Sequence, residues 1–258
     1  MAKCSYEVNE QGIALLKINN PPMNALDEIT MLELEFSMRQ IEVDDRVKVV
    51  IVTGEGATFV VGADVNKVRN VKKAQEGRKL TSRAHEIMNL IMNSRKPVIA
   101  AINGLCLGGG MELAIACHFR IAGDQVQMGL PEIMLGIMPG FGGTQRSVRL
   151  LGAEKALEAM LTGKFIDMNE AKEIGLVGRV VPQADVMGEA EKLAKQIASK
   201  GQLAVRTIVE AVMDGGRMSL KEGLDLESRL FGRLAESEDK EEGINAFLEK
   251  RKPAFKDR

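Results

Sequence analysis

Tryptophan is absent from the 258-residue chain, and tyrosine occurs once. So few aromatic rings leave little platform for stacking nucleic-acid bases. Charge of one sign is missing too: 35 basic and 36 acidic residues sum to a net charge of -1, which offers no field for a polyanion. Nucleic acid is therefore not an expected partner. Cysteine is scarce, and the three present (Cys4, Cys106 and Cys117) are odd in number and lack metal-ligand spacing. They read as reduced thiols. The two histidines, His85 and His118, stand in neither a metal nor a triad pattern and read as structural or surface residues. No metal site is expected. No apolar run approaches the roughly 20 residues that a membrane span requires. The polar, acidic opening Met1 to Glu10 does not read as a signal or transit peptide. These absences predict a soluble, cytoplasmic protein with no membrane partner.

What is present suits one large core. Hydrophobic residues make up 45% of the chain, and fifteen Met residues supply soft, adaptable packing. Ile13 to Ile18 reads as a strand closed by the turn Asn19-Asn-Pro-Pro22. A helix is expected from Asn24 to about Val43, with Met31, Leu34, Met38 and Ile41 at helical spacing. Val47 to Thr53 reads as a buried strand, and Ala57 to Asp64 as a strand edge broken by Gly62. A charged stretch of helical periodicity then runs to about Asn93. Four strand-then-turn units recur, at Val49–Gly54, Val98–Gly104, Phe119–Gly123 and Val177–Pro182, which suggests a coiled stack of ββα-like units. After about residue 182 only amphipathic helices follow, and Leu220, Leu224, Leu230, Phe231 and Leu234 are expected to make more exposed apolar surface than a monomer's terminal helix leaves. The expected architecture is an α/β core over residues 1–184 and a helical region over 185–258.

The chain is organised around Val98 to Cys117. Five apolar residues form a strand short enough to be buried on both faces, Asn103-Gly104 turns the chain, and Gly108-Gly109-Gly110 leads into a short apolar helix. Glycines at a helix entrance let unpaired first-turn N–H groups approach a ligand, and the helix dipole adds partial positive charge there. Such groups can hold a developing oxyanion. Glu112 then puts a carboxylate on an otherwise apolar helix, which costs several kcal/mol if it is ionised and unpaired. A second isolated acid, Glu132, sits in the glycine-rich apolar run Gly129 to Arg146. Two carboxylates in a dry cleft tend to separate into an acid and a base. Nucleotide loops are excluded, because Leu113 and Gln145 break both possible G-x-G-x-x-G patterns and no G-x-x-x-x-G-K-[ST] occurs.

Four motifs in order complete the picture: Phe59-Val-Val-Gly-Ala-Asp64; Asn103-Gly-Leu-Cys-Leu-Gly-Gly-Gly-Met-Glu112; Pro131 to Gly140 with Gly142-Gly-Thr-Gln-Arg146; and Phe247-Leu-Glu-Lys-Arg-Lys-Pro253. Over nearly its whole length the chain resembles the crotonase (enoyl-coenzyme A hydratase/isomerase) superfamily. The resemblance implies a spiral of ββα turns with a C-terminal helical oligomerisation region that packs in trimers, often paired into hexamers. It implies an oxyanion hole from the backbone N–H groups of Ala63 and Gly109, catalytic acids at Glu112 and Glu132, and a water-positioning backbone at Gly140. Val61, Asp64, Val65 and Lys250 match positions near the coenzyme. No separate cofactor is implied, since coenzyme A is part of the substrate.

The match departs from the family pattern in two places. Val60-Val61 replaces the usual small pair, and Asn66 stands where lysine is frequent, with Lys67 one place later. Isomerases typically keep only the later acid, so the presence of both favours reversible hydration of a trans-2-enoyl-coenzyme A. Double-bond isomerisation is the alternative on the same scaffold. A non-catalytic acyl-coenzyme A binder or RNA-binding member is the alternative from another class, and the acid pair and near-neutral charge count against it.

Overall fold

A computed structural model describes residues 2–258. Two sheets are built by one repeated movement of the chain. β1 (Cys4–Val8) and β2 (Ile13–Ile18) form an antiparallel hairpin, and β3 (Val49–Gly54) joins β2 in parallel. The chain then leaves the first sheet and forms β4 (Thr58–Val61). The same step recurs from β5 (Val98–Ile102) to β6 (Leu105–Leu107), and from β7 (Phe119–Gly123) to β8 (Met128–Gly129). With β9 (Arg179–Val181), the six-stranded order is β1-β2-β3-β5-β7-β9, and β4-β6-β8 form a separate parallel sheet. Asn103 staples adjacent turns of the spiral. Its Nδ2 donates to Gly54 O at 2.8 Å and Gly56 O at 2.9 Å, while its Oδ1 accepts from Gly54 N at 3.2 Å.

Strand sequences of β-branched and aliphatic residues with no polar alternation require cover on both faces. Alternate residues supply it. Leu16, Val50, Val52, Ala100, Ile102 and Ala122 point into the main core inside the spiral. Ile13, Val49, Ile51, Ile99, Ala101 and Ile121 point the other way, onto Val186, Ala190, Ala194 and Ala198 of α8 (Val186–Ala198). Small side chains four residues apart let α8 lie flat on that face. The helical stretch after residue 185 thus opens with a helix that packs on the core.

The remaining helices are α1 (Glu28–Val43), α2 (Val65–Asn70), α3 (Ala74–Met92), α4 (Gly109–Ala116), α5 (Gly143–Leu151), α6 (Ala153–Thr162) and α7 (Met168–Glu173). They are followed by α9 (Gln202–Gly215), α10 (Leu220–Ala235) and α11 (Glu238–Leu248). The sequence reading differs in several places. The helix expected from Asn24 starts at Glu28, because the Asp27 carboxylate caps it by accepting from Thr30 N at 2.8 Å. Asn24 instead takes a left-handed conformation and donates to Glu55 O and Thr58 O. The polar start is a strand, β1, because its backbone pairs with β2 and the N–H groups of Lys3 and Cys4 both donate to Glu33. The 66–93 stretch is two helices, separated at residues 71–73.

On α10 the expected apolar surface is only partly exposed. Leu220, Leu224 and Phe231 face outward, whereas Leu230 is buried and Leu234 half-buried. No helix among the described residues is long and apolar enough to cross a membrane.

Packing of α4 against β4 leaves no room for a side chain at Gly110. A Cβ on Gly110 would stand 2.0 Å from the Val60 carbonyl oxygen, a backbone atom that cannot rotate away. Gly110→Ala is expected to cost at least about 1–3 kcal/mol, the range for overpacking a filled core. Urea denaturation measures this, and an unchanged midpoint and slope would show that α4 can shift without penalty.

Candidate active site

Parallel strands in register end together, and three such ends make this site. Val61 pairs with Leu107, and Leu107 with Gly129, at the carboxyl ends of β4, β6 and β8. The ladder continues one step beyond, with Gly62 N donating to Leu107 O and Gly108 N to Gly129 O, both at 2.8 Å. The next residues in each strand exit are Ala63, Gly109 and, three positions past Gly129, Glu132. The spiral therefore delivers one group from each turn to the same edge.

Gly108 adopts φ 54° and ψ −122°, a backbone that a Cβ would strain, and this bend aims the start of α4 at the Gly62–Ala63 link. A Cβ on Gly109 would lie 3.3 Å from Gly62 C, the atom bonded to Ala63 N. Among the described residues, neither the Ala63 N–H nor the Gly109 N–H donates to a protein acceptor. Two adjacent unpaired N–H groups, one of them in the first turn of a helix, form an anion cradle.

Glu112 lies one turn into α4 and is 1% exposed. Its Oε1 accepts from Phe141 N at 2.7 Å and Gly143 N at 2.6 Å. Burial pushes its pKa up to about 7, and the nearby Glu132 charge adds to this; the Gly143 and Phe141 N–H groups and the Arg146 charge oppose it. Glu132 sits in the first turn of a 3-10 helix, Pro131–Leu135. Its Oε1 is 2.9 Å from where a Cβ on Gly108 would stand, and its Oε2 is buried without a hydrogen-bond partner. Burial raises its pKa as well. Gly140 directly precedes Phe141, and a Cβ there would come 3.1 Å from Thr81 Cγ2 on α3. Ala63, Gly109, Glu112, Glu132 and Gly140 are thus brought together.

The other sequence candidates lie further out. Val61 is half-buried at the end of β4. Asp64 caps α2, its Oδ1 accepting from Asn66 N at 2.8 Å and Lys67 N at 3.4 Å, and Val65 is exposed in the first turn of that helix. Lys250 lies just past α11, exposed and in a left-handed conformation, and none of its contacts joins it to the two acids. The tail beyond it is tied down by Asp239, which accepts from the N–H groups of Lys256 and Asp257. His118 is structural: its ring bonds to Val98 N and Met92 O. The three cysteines are buried and unpaired. Among the described residues, no cluster of three or more His, Cys, Asp or Glu could hold a metal ion.

Three contributors escape a reading of the sequence. The N–H groups of Phe141 and Gly143 carry no side-chain signal. Arg146 is 9% exposed and donates to Phe141 O at 2.8 Å and Asn89 Oδ1 at 2.7 Å. Its only sequence mark is a cation directly behind a glycine-rich loop.

Relatives carry the same organisation. The enoyl-CoA hydratase/isomerase family model matches residues 8–258. A probable enoyl-CoA hydratase of Bacillus subtilis is 43% identical over 248 residues, covering 96% of each chain. A crotonyl-CoA hydratase of Syntrophomonas wolfei is 43% identical, with 95% of each chain covered. The crystal structure of an enoyl-CoA hydratase from Bacillus anthracis superposes with a TM-score of 0.94 at 38% identity, covering 99% of this chain and 100% of that one. On the family match over residues 8–258 and the full-length similarity to these relatives, this chain belongs to the enoyl-CoA hydratase/isomerase family.

Proposed function

We propose that the protein hydrates trans-2-enoyl-coenzyme A thioesters reversibly, giving 3-hydroxyacyl-coenzyme A. The observation that carries this reading is the neighbouring pair of acids, buried Glu112 and half-buried Glu132, beside two free N–H donors. The thioester oxygen accepts from the Ala63 and Gly109 N–H groups, which stabilise charge arriving there as water attacks. One such donor is typically worth about 3 kcal/mol in the transition state.

Glu112, with support from the Gly140 backbone, removes a proton from the water as its oxygen bonds to the β-carbon. Glu132 delivers a proton to the α-carbon, so that H and OH add across the double bond. Isomerisation needs only one proton-shuttling acid, and the second acid favours hydration. Val61, Asp64 and Val65, next to Ala63 along the chain, are assigned to the coenzyme side of the substrate. Lys250, whose charge stands in solvent, is assigned to the coenzyme phosphates. No cofactor beyond the coenzyme A carried by the substrate is required, and the setting proposed is the cytoplasm.

Replacing either acid by its amide tests the core of this reading. Glu112→Gln and Glu132→Gln are each expected to lower kcat with crotonyl-coenzyme A by at least about 10², the lower end for a general acid or base. Near-normal turnover by either variant would make that residue structural. Mass analysis of the product separates hydration from isomerisation.

The same residue links pH to stability. Its folded pKa is raised from 4.5 to about 7, so between those values the native state binds the proton more tightly than the unfolded chain does. Stability from this group is present below the unfolded pKa and is lost as pH rises through the folded one. Glu112→Gln removes the titration, so its stability should decline less than the parent's between about pH 5 and about pH 7. Equal slopes in urea denaturation across that range would contradict the raised pKa.

We further propose a homo-oligomer, a trimer or a dimer of trimers. Leu220, Leu224 and Phe231 on α10, Ile208 and Val212 on α9, and Phe247 on α11 are all exposed. So much apolar surface on one helical region is more than a monomer normally leaves in water. Light scattering should give at least three chain masses at micromolar concentration; a single-chain mass would refute the assembly.

A further inference from the structure

We propose that Arg146 is a positioning residue whose guanidinium clamps the 141–143 loop, so that the Phe141 and Gly143 N–H groups converge on Glu112. The inference rests on the hydratase reading for its effect on turnover, but not for its effect on Glu112.

The geometry is a chain of contacts. Arg146 lies in α5, immediately after the loop, and reaches back so that Nη1 donates to Phe141 O at 2.8 Å. Nη2 donates to Asn89 Oδ1 at 2.7 Å, and Nε contacts Met92 Sδ at 3.4 Å, both on α3. The loop is thus pinned to a helix on its far side while its own N–H groups hold the carboxylate on its near side. None of these three partners is charged. A buried cation without a directly bonded carboxylate is costly unless its charge is used.

Its use is visible in the surroundings. The charged groups facing Glu112 are Glu132 and Arg146, and those facing Arg146 are Glu112 and Arg217. Arg146 is the cation that favours the ionised form of Glu112 and opposes the effect of Glu132. A neutral residue could fill the same volume, but it would supply neither the two-pronged donor nor the charge.

Gly142 points to the same role independently. It adopts φ 108°, and a Cβ there would stand 2.0 Å from Arg146 Nη1. The residue between the two N–H donors therefore has no side chain, and the guanidinium passes through the space this leaves.

Purified full-length Arg146→Gln and Arg146→Lys, assayed with crotonyl-coenzyme A, test the clamp together with a carbon-13 carboxyl NMR titration of Glu112. That resonance is assigned by its disappearance in Glu112→Gln. Arg146→Gln is expected to lower kcat on the order of ten- to a hundredfold, the scale of a misplaced catalytic group. KM should stay nearly constant, and the Glu112 titration should move to higher pH. Arg146→Lys, a cation without the fork, should restore the titration more than it restores kcat.

If Arg146→Gln does not fold, Asn89→Ala decides, because it removes one anchor at an exposed position of α3. The same shift, smaller, is expected. Unmoved titration and unmoved kcat in the folded variant overturn the proposal, as does a rise in KM at constant kcat. If the parent fails to hydrate crotonyl-coenzyme A, the hydratase reading falls, while the NMR titration still tests the clamp.

Discussion

Two hydrogen bonds to one oxygen, from Phe141 N–H and Gly143 N–H to Glu112 Oε1, are the contact on which the rest of the site depends. A carboxylate at 1% exposure cannot stay ionised near neutral pH without such help. Hydrogen bonds to a charged group are worth about 1.5–3 kcal/mol each. They do not cancel the burial cost, which is why the pKa rests at about 7 instead of near 4.5. The demand propagates outward. The loop must approach α4 closely, so position 143 has no side chain: a Cβ there would meet Glu112 Oε1 at 2.9 Å. Helix α4 must in turn sit hard against β4, where Gly110 leaves room for the Val60 carbonyl.

The spiral explains why these parts meet at all. Each turn contributes one short strand to the β4-β6-β8 sheet, and parallel pairing in register aligns their carboxyl ends. Ala63 and Gly109, 46 positions apart, and Gly109 and Glu132, 23 apart, therefore reach the same edge. Length matters here. β8 has only two residues, so the chain passes from the core to Glu132 within a few residues. A longer strand would carry the second acid past the cradle.

Much of this was legible in the sequence, for definite reasons. Val47 to Thr53 and Val98 to Ile102 read as buried strands, and they lie adjacent in one sheet. Glu112 was conspicuous as an acid among apolar neighbours. What was hidden is whatever depends on partners distant in sequence. β6 was missed because Leu105 to Leu107 is too short to show a pattern and becomes a strand only through pairing with β4 and β8. The start of α1 was misplaced because Asn24 to Leu26 pack against residues 55–62, and no local signal records that. Leu230 was read as surface, yet it is buried while its neighbour Phe231 is exposed; the helical face is settled by which side meets the rest of the fold. Arg146 stands in a recognisable motif, yet nothing local in the sequence shows its role, because a clamp is a relation among three elements.

The two acids are electrostatically linked. Both carboxyls are pushed upward by burial, and the Glu132 charge raises Glu112 further, so adding a second negative charge to the pair is disfavoured. The proposed hydration needs one ionised and one protonated member. In the proposed forward direction one member accepts a proton from water while the other gives one to carbon; in reverse, the same two groups exchange these tasks. Their surroundings differ: Glu112 is held by two N–H groups, whereas Glu132 has a buried, unbonded Oε2, so geometry distinguishes the two members.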